Sequence, residues 1–384
     1  VGSEMCIRDR ALARHVRDVV DPVVVGITGS VGKTTTKDLV KAACGASRRT
    51  EGAQGSYNNE VGVPLTLLTA RSDTEVLVVE MGARGVGQVA ELATLARPDI
   101  GVVTAVAGVH LELFGTLEDV ATAKGELPAS LPADGTAVLN ADDHRVAAMA
   151  SRTDARVLRY SLDGAPDADL TAVDVRLDEH ARARFTARTP WGDHAVVLPV
   201  AGRHHVGNAL AALAVAGAAG ADVAAAAAAM ADAAVSRWRG AVVEAGGVVV
   251  LDDAYNANPT STLAALETLA AMEVPGRRVA VLGVMAEIGD DHVTEHWRIG
   301  MRAAAVVDHL VVVGEDATPI TAGARDAAMP RVDLVADADA AVEALADVTD
   351  GDAVLVKASR VAGLEAVTAG LVERLRGEGE DTTP

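Results

Sequence analysis

The stretch Val23-Val24-Val25-Gly26-Ile27-Thr28-Gly29-Ser30-Val31-Gly32-Lys33-Thr34-Thr35-Thr36 decides the fold. An apolar β-branched run reads as a buried strand, glycines at a spacing of three follow it, and the hydroxyls after Lys33 open a polar-apolar helix pattern through Cys44. The order is strand, glycine-rich loop, helix. Glycines let backbone N–H groups close around an anion, a helix N-terminus adds partial positive charge, and Lys33 supplies a compact cation. Gly29, Ser30, Val31, Gly32, Lys33, Thr34 and Thr35 are therefore a candidate cradle for the phosphates of a nucleoside triphosphate, with Thr34 as a magnesium ligand. The usual pattern G-x-x-x-x-G-K-[ST] has a glycine where this chain carries Ile27.

Working outward, 384 residues with half of them apolar can bury a large core and suggest two or three domains. No apolar run is long enough for a membrane span, and two cysteines, Cys6 and Cys44, give neither a disulfide framework nor a metal-thiolate spacing. The expectation is a soluble, cytoplasmic protein. A net charge of −20 argues against a general binder of nucleic acid or anionic membrane, so any phosphate site must be built locally. Only five of the 34 cationic residues are lysines, at positions 33, 37, 41, 124 and 357. Where lysine persists in an arginine-rich chain, chemistry that a guanidinium cannot do is the suspicion: a point charge on phosphate, or an amine that can be modified. Lys37 and Lys41 read as helix-surface residues, which leaves Lys33, Lys124 and Lys357 as candidates.

Residues 1–20 read as a non-native or truncated start with a short linker helix over 11–20, and residues 21–235 as a P-loop domain on a mainly parallel sheet. After the phosphate-loop helix, Ser56-Tyr57-Asn58-Asn59-Glu60-Val61-Gly62-Val63-Pro64 is a polar loop, either a capping turn or a substrate or phosphate contact. The buried strand Glu75–Gly82 carries Glu80 at its carboxyl end, placed to reach a P-loop magnesium or to pair with Arg84. His110 follows the next strand as a candidate metal or phosphate contact, and Lys124 lies on the helical stretch from Leu117 to Leu127. Residues 168–200 alternate around a Thr-Pro-Trp-Gly-Asp turn and read as a small antiparallel segment. An alanine-rich helix pair, 206–219 and 221–234, closes the domain.

From Ser236 the strand-helix alternation restarts, giving a second, Rossmann-like α/β domain over 236–376 with strands near 247–252, 278–283, 309–313, 332–335 and 353–357. Asp252, Asp253, Tyr255, Asn256 and Asn258 cluster after its first strand and suit ribose or base contacts. Residues 377–384 read as a short disordered tail.

The order of these motifs resembles the Mur ligases, ATP-dependent amide-forming enzymes of peptidoglycan precursor synthesis. Gly26 to Asp38, Tyr57 to Pro64, Glu80-Met81-Gly82, His110 to Gly115, Asp253 to Pro259 and Leu355 to Arg360 carry the resemblance. It runs from about residue 11 to 375, and Ile27 belongs to the loop of that family. The Tyr255-Asn256-Ala257-Asn258-Pro259 block points to the branch that adds D-alanyl-D-alanine to a UDP-N-acetylmuramoyl tripeptide through an acyl phosphate. The resemblance implies a further amino-terminal domain for the UDP part of the substrate, which this sequence does not include. It also implies ATP and Mg2+ as cofactors and a monomer. Lys33 and the loop amides would hold the β and γ phosphates, with Thr34 and Glu80 on one magnesium and His110 on a second. Lys124 matches a lysine that is carbamylated into a metal ligand. Asn208, Arg239, Asp253 and Asn256 match nucleotide base and ribose positions, Asn58 and Asn59 substrate positions, and Lys357 and Ser359 would face the incoming amine. Other ligases of the superfamily, adding diaminopimelate, lysine or glutamate, are the nearest alternative. A P-loop nucleotide-binding protein without ligase activity is the other; it would have no need of Asp253 to Pro259 or of Lys357.

Overall fold

The computed structural model describes residues 2–53, 55–108 and 111–380. Its chain forms two sheets, each covered by helices on both faces. The first contains β1 (Val23–Thr28), β2 (Thr50–Gly52), β3 (Val76–Glu80), β4 (Ile100–Val103), β5 (Thr136–Asn140), β6 (Arg156–Ser161), β7 (Leu170–Leu177), β8 (Arg182–Thr189) and β9 (Gly192–Ala201). Their spatial order is β2-β3-β1-β4-β5-β6-β7-β8-β9, parallel from β2 through β7 and antiparallel from β7 to β9. The antiparallel segment thus extends the same sheet. Strand β1 runs between β3 and β4, so the crossovers leave it in opposite directions and open a crevice at its carboxyl end, where the phosphate loop begins.

Helix Lys33–Gly45 and the alanine-rich helices His205–Ala218 and Val223–Ala229 bury one face of this sheet. Small side chains let His205–Ala218 approach closely enough that Ala209 to Ala216 are all buried. Helices Gly62–Leu67, Gln88–Ala96 and Leu117–Ala129 pack on the other face.

The second sheet contains β10 (Ala241–Ala245), β11 (Val248–Asp252), β12 (Arg278–Leu282), β13 (His309–Val313), β14 (Val332–Val335) and β15 (Ala353–Lys357), in the order β10-β11-β15-β12-β13-β14. All neighbours are parallel except the β10–β11 hairpin. Strands β11 and β15, with Asp252 and Lys357 at their carboxyl ends, lie side by side and face the first domain's crevice.

Several details differ from the sequence reading. The first helix is longer than residues 11–20, running Gly2–Val20, and the last, Glu365–Glu380, continues into the segment read as a tail. Short β2, and β6 with its outward arginines, lack a hydrophobic period strong enough to announce a strand. Lys37 is not a surface residue. Its side chain is completely buried, because the helix face that carries it is covered by the loop at Gly55.

Candidate functional site

The phosphate loop owes its shape to two glycines. Gly29 has φ 145°, and a β-carbon there would meet the Thr104 hydroxyl at 1.9 Å; Gly32 has φ 81°, and a β-carbon would meet Asn208 Oδ1 at 2.8 Å. Thr104, at the end of β4, also donates to the Val31 carbonyl at 2.6 Å, and Ser30 N–H donates to the Ala105 carbonyl at 2.8 Å. These bonds anchor the loop from outside. No side chain caps helix Lys33–Gly45, so its first N–H groups point into the crevice, an arrangement suited to an anion. Lys33 Nζ donates to the Gly29 carbonyl at 2.7 Å. Burial lowers its pKa, the Glu80 carboxylate opposes that shift, and the Arg239 guanidinium adds to it.

Beside the loop, Thr34 Oγ1 donates to Glu80 Oε2 at 2.8 Å, and Asn58 Nδ2 donates to Glu80 Oε1 at 2.8 Å. Glu80 is buried, its hydrogen bonds come from neutral groups, and Arg84 reaches Glu287 instead. A hydroxyl and a carboxylate at a phosphate loop are the hard oxygen donors that magnesium takes, so these residues fit that ion. Among the described residues, no group of three or more His, Cys, Asp or Glu side chains converges as a metal site. His110 lies outside the described residues. Asn59 turns the other way, and its Oδ1 accepts the Val61 and Gly62 N–H groups at the start of helix Gly62–Leu67.

Lys124 is buried on helix Leu117–Ala129, with its Nζ 5.7 Å from the centre of the Phe114 ring. Burial pushes its pKa down to about 7, and the neighbouring Lys33 adds to the shift, while Glu126 works weakly against it. Glu126 spends both its oxygens on the Gly87 and Ala90 N–H groups. At about 7, a substantial fraction of the amine is uncharged near neutral pH, the form a nucleophile needs.

The second domain completes the site from across the crevice. Lys357 Nζ contacts Asp253 Oδ2 at 2.5 Å and donates to the Asn256 carbonyl at 2.9 Å, which fixes the loop after β11. Asp252, next to it, points into the domain, and burial raises its carboxyl to about 6. Ser359 accepts the Ala286 N–H at 2.9 Å and donates to the Ala257 carbonyl at 3.1 Å. Arg239 Nη2 donates to Ser56 Oγ at 2.9 Å, while its guanidinium lies 4.0 Å from the centre of the Tyr255 ring.

A single cleft of about 870 Å³ brings most of these residues together. Its walls include Lys33, Thr34, Asn58, Asn59, Glu80 and Lys124 from the first domain, and Arg239, Asp253, Asn256 and Lys357 from the second. Asn208 lines it beside Gly32. Ser359 lines a smaller adjoining cavity of about 200 Å³, with Asn256, Glu287 and Arg360. Sequence reading placed Ser56 in a candidate contact loop without assigning it a role, and missed Thr104, a hydroxyl just past a strand end that carries no spacing signal.

A two-domain α/β architecture with a phosphate loop facing paired strand ends defines a nucleotide-dependent ligase class. Residues 27–216 match the Mur ligase middle domain and residues 237–360 the Mur ligase, glutamate ligase domain, so the chain belongs to the Mur ligase family. It is 46% identical over 374 residues to the UDP-N-acetylmuramoyl-tripeptide--D-alanyl-D-alanine ligase of Mycobacterium tuberculosis (strain ATCC 25618 / H37Rv), covering 91% of this chain and 72% of that protein. The enzyme of that name from Escherichia coli (strain K12) is 36% identical over 367 residues, covering 94% and 79%. Among solved structures, the MurF ligase of Thermotoga maritima in complex with ADP superposes with a TM-score of 0.86 at 29% identity, covering 97% of this chain and 84% of that one. No helix among the described residues is long and apolar enough to cross a membrane.

Proposed function

We propose that this chain is an ATP-dependent ligase that adds D-alanyl-D-alanine to a UDP-N-acetylmuramoyl tripeptide in the cytoplasm. The observation that carries this reading is the cleft itself, where the phosphate loop and the Thr34–Glu80 pair face a buried Lys124 and the Asp253–Lys357 pair. In the reaction, the tripeptide's terminal carboxylate attacks the γ-phosphorus of ATP, ADP leaves, and an acyl phosphate forms. The free amine of D-alanyl-D-alanine then adds to the acyl carbon. Phosphate departs with the bonding electrons, the amine loses a proton, and the amide remains.

Lys33 and the N–H groups from Gly29 to Thr35 hold the β and γ phosphates, so the chain acts mainly by positioning and by spreading negative charge. Thr34 and Glu80 would hold magnesium, with His110 as a further ligand; when bound, the ion neutralises charge on the phosphate oxygens. Lys124 reacts through its neutral amine with carbon dioxide, releasing a proton and leaving a carbamate that serves as an additional oxygen ligand. Asn208, Arg239, Asp253 and Asn256 hold the nucleoside. Asn58 orients Glu80 toward the donor substrate, and Lys357 with Ser359 shapes the seat of the incoming amine.

Phosphate release tests this directly, with UDP-N-acetylmuramoyl tripeptide, ATP and one amine acceptor at a time. Release that depends on D-alanyl-D-alanine supports the reading. Release that follows diaminopimelate, lysine or glutamate instead assigns another ligase of the family, and nucleotide binding without release under any acceptor assigns a binding protein.

A further inference from the structure

We propose that Lys37 and Asp38 are a positioning pair that ties the linker between the domains to the phosphate loop, and so sets the Arg239–Ser56 contact at the mouth of the nucleotide site. This rests on reading the cleft as a nucleotide site. Neither side chain touches the cleft. They lie one turn behind Thr34 on helix Lys33–Gly45, where a completely buried ammonium calls for a reason. A buried ion pair is weak evidence of stability, since its desolvation offsets most of the attraction; its best-attested use is to select one conformation.

Here the two residues grip both ends of one contact. Lys37 Nζ reaches the Gly55 carbonyl at 2.5 Å and Asp38 Oδ1 at 3.1 Å. Gly55 immediately precedes Ser56, whose hydroxyl lies 3.2 Å from Thr34 Oγ1 and accepts from Arg239 at 2.9 Å. The other oxygen of Asp38, Oδ2, accepts the Ser236 N–H at 2.8 Å, a bond spanning 198 residues. Ser236 lies in the linker three residues before Arg239. The circuit runs from Lys37 through Gly55 and Ser56 to Arg239, and back through Ser236 to Asp38. Arg239 in turn lies against Tyr255 of the second domain, so the circuit connects the phosphate-loop helix to both walls of the cleft.

The test is a double-mutant cycle on the affinity for a non-hydrolysable ATP analogue, measured by calorimetry on wild type, Lys37→Met, Arg239→Ala and the double variant. Each single change is expected to weaken binding by roughly tenfold, and the double by little more than the worse single, a coupling approaching about tenfold. Strictly additive losses, or undiminished affinity in Lys37→Met, would overturn the proposal. Lys41→Met, one turn further along, removes a half-buried ammonium that donates to the Gly52 carbonyl and makes no hydrogen bond to Gly55, Ser56 or Ser236, and is expected to bind normally. An equal loss there would reduce the role of Lys37 to general helix stability and also overturn it. Where Lys37→Met does not fold, Asp38→Asn enters the same cycle, keeping the size and an acceptor for Ser236. If the wild type binds no nucleotide, the nucleotide reading fails, and amide exchange still judges the pair: Lys37→Met should speed exchange at Ser236, whose N–H is held by Asp38, and unchanged exchange there refutes it.

Discussion

Lys124 and Lys357 are buried to nearly the same degree on opposite walls of one cleft, and their surroundings treat them in opposite ways. Lys357 is met by the Asp253 carboxylate at 2.5 Å and the Asn256 carbonyl at 2.9 Å, which stabilise its charge. Lys124 has no such partner among the described residues: the Phe114 ring face at 5.7 Å and Glu126 favour its charge weakly, burial and Lys33 outweigh them, and its pKa falls to about 7. Burial alone therefore does not assign a role to a lysine; the partner does. The first is a fixed cation that organises a loop, and the second an amine kept reactive.

The sharpest break in this comparison is Lys124→Arg. It restores a permanent charge and cannot form the carbamate, so ligase turnover should fall roughly 10²–10³-fold in phosphate-release assays, the scale of a lost preorganised charge in an active site. A small carboxylic acid should restore part of the activity of Lys124→Ala; full activity in Lys124→Arg would sink the assignment.

Stability should separate the two lysines in the opposite sense. Lys357→Met leaves the Asp253 carboxylate and the loop carbonyls without their donor and should cost on the order of 2–3 kcal/mol in denaturant unfolding. Lys124→Met replaces a buried amine that makes no hydrogen bond among the described residues with an apolar chain of similar size, and should leave stability unchanged or raise it by about 1 kcal/mol.

A further effect follows from proton linkage. The Lys124 amine is lowered from 10.5 to about 7 in the folded chain, so between those values the unfolded chain holds a proton that the folded chain lacks. Stability should rise with pH across that window and flatten below it. Comparing wild type with Lys124→Met isolates the slope, which the variant should lose. Least of all, Gly32→Ala should cost about 1–2 kcal/mol from its left-handed φ of 81°, with weaker nucleotide affinity as Asn208 is displaced.

The same contrast marks how far the sequence could be read. Both sheets, the phosphate loop and the second domain's strands were legible because buried parallel strands are continuous apolar runs and glycines punctuate them. The rarity of lysine singled out positions 124 and 357, and both amines are buried against the cleft. The same signal covered Lys37, yet its place in a polar helix pattern made it look exposed, because the loop that covers it comes from Gly55, beyond any local period. Asn58 and Asn59 show the limit for adjacent residues. One turns to Glu80 and the other caps a helix, a choice made by backbone direction rather than residue type. Which of Asp252 and Asp253 faces the cleft is settled the same way, by the alternation at the end of β11.

The account turns on the state of the Lys124 amine, and carbon-13 NMR of the protein equilibrated with labelled bicarbonate reads it directly. A single carbamate resonance should appear in the wild type near neutral pH, persist in Lys357→Met and vanish in Lys124→Met. A spectrum without that resonance, or one that Lys124→Met leaves unchanged, would contradict the claim that this lysine is the reactive amine of the site.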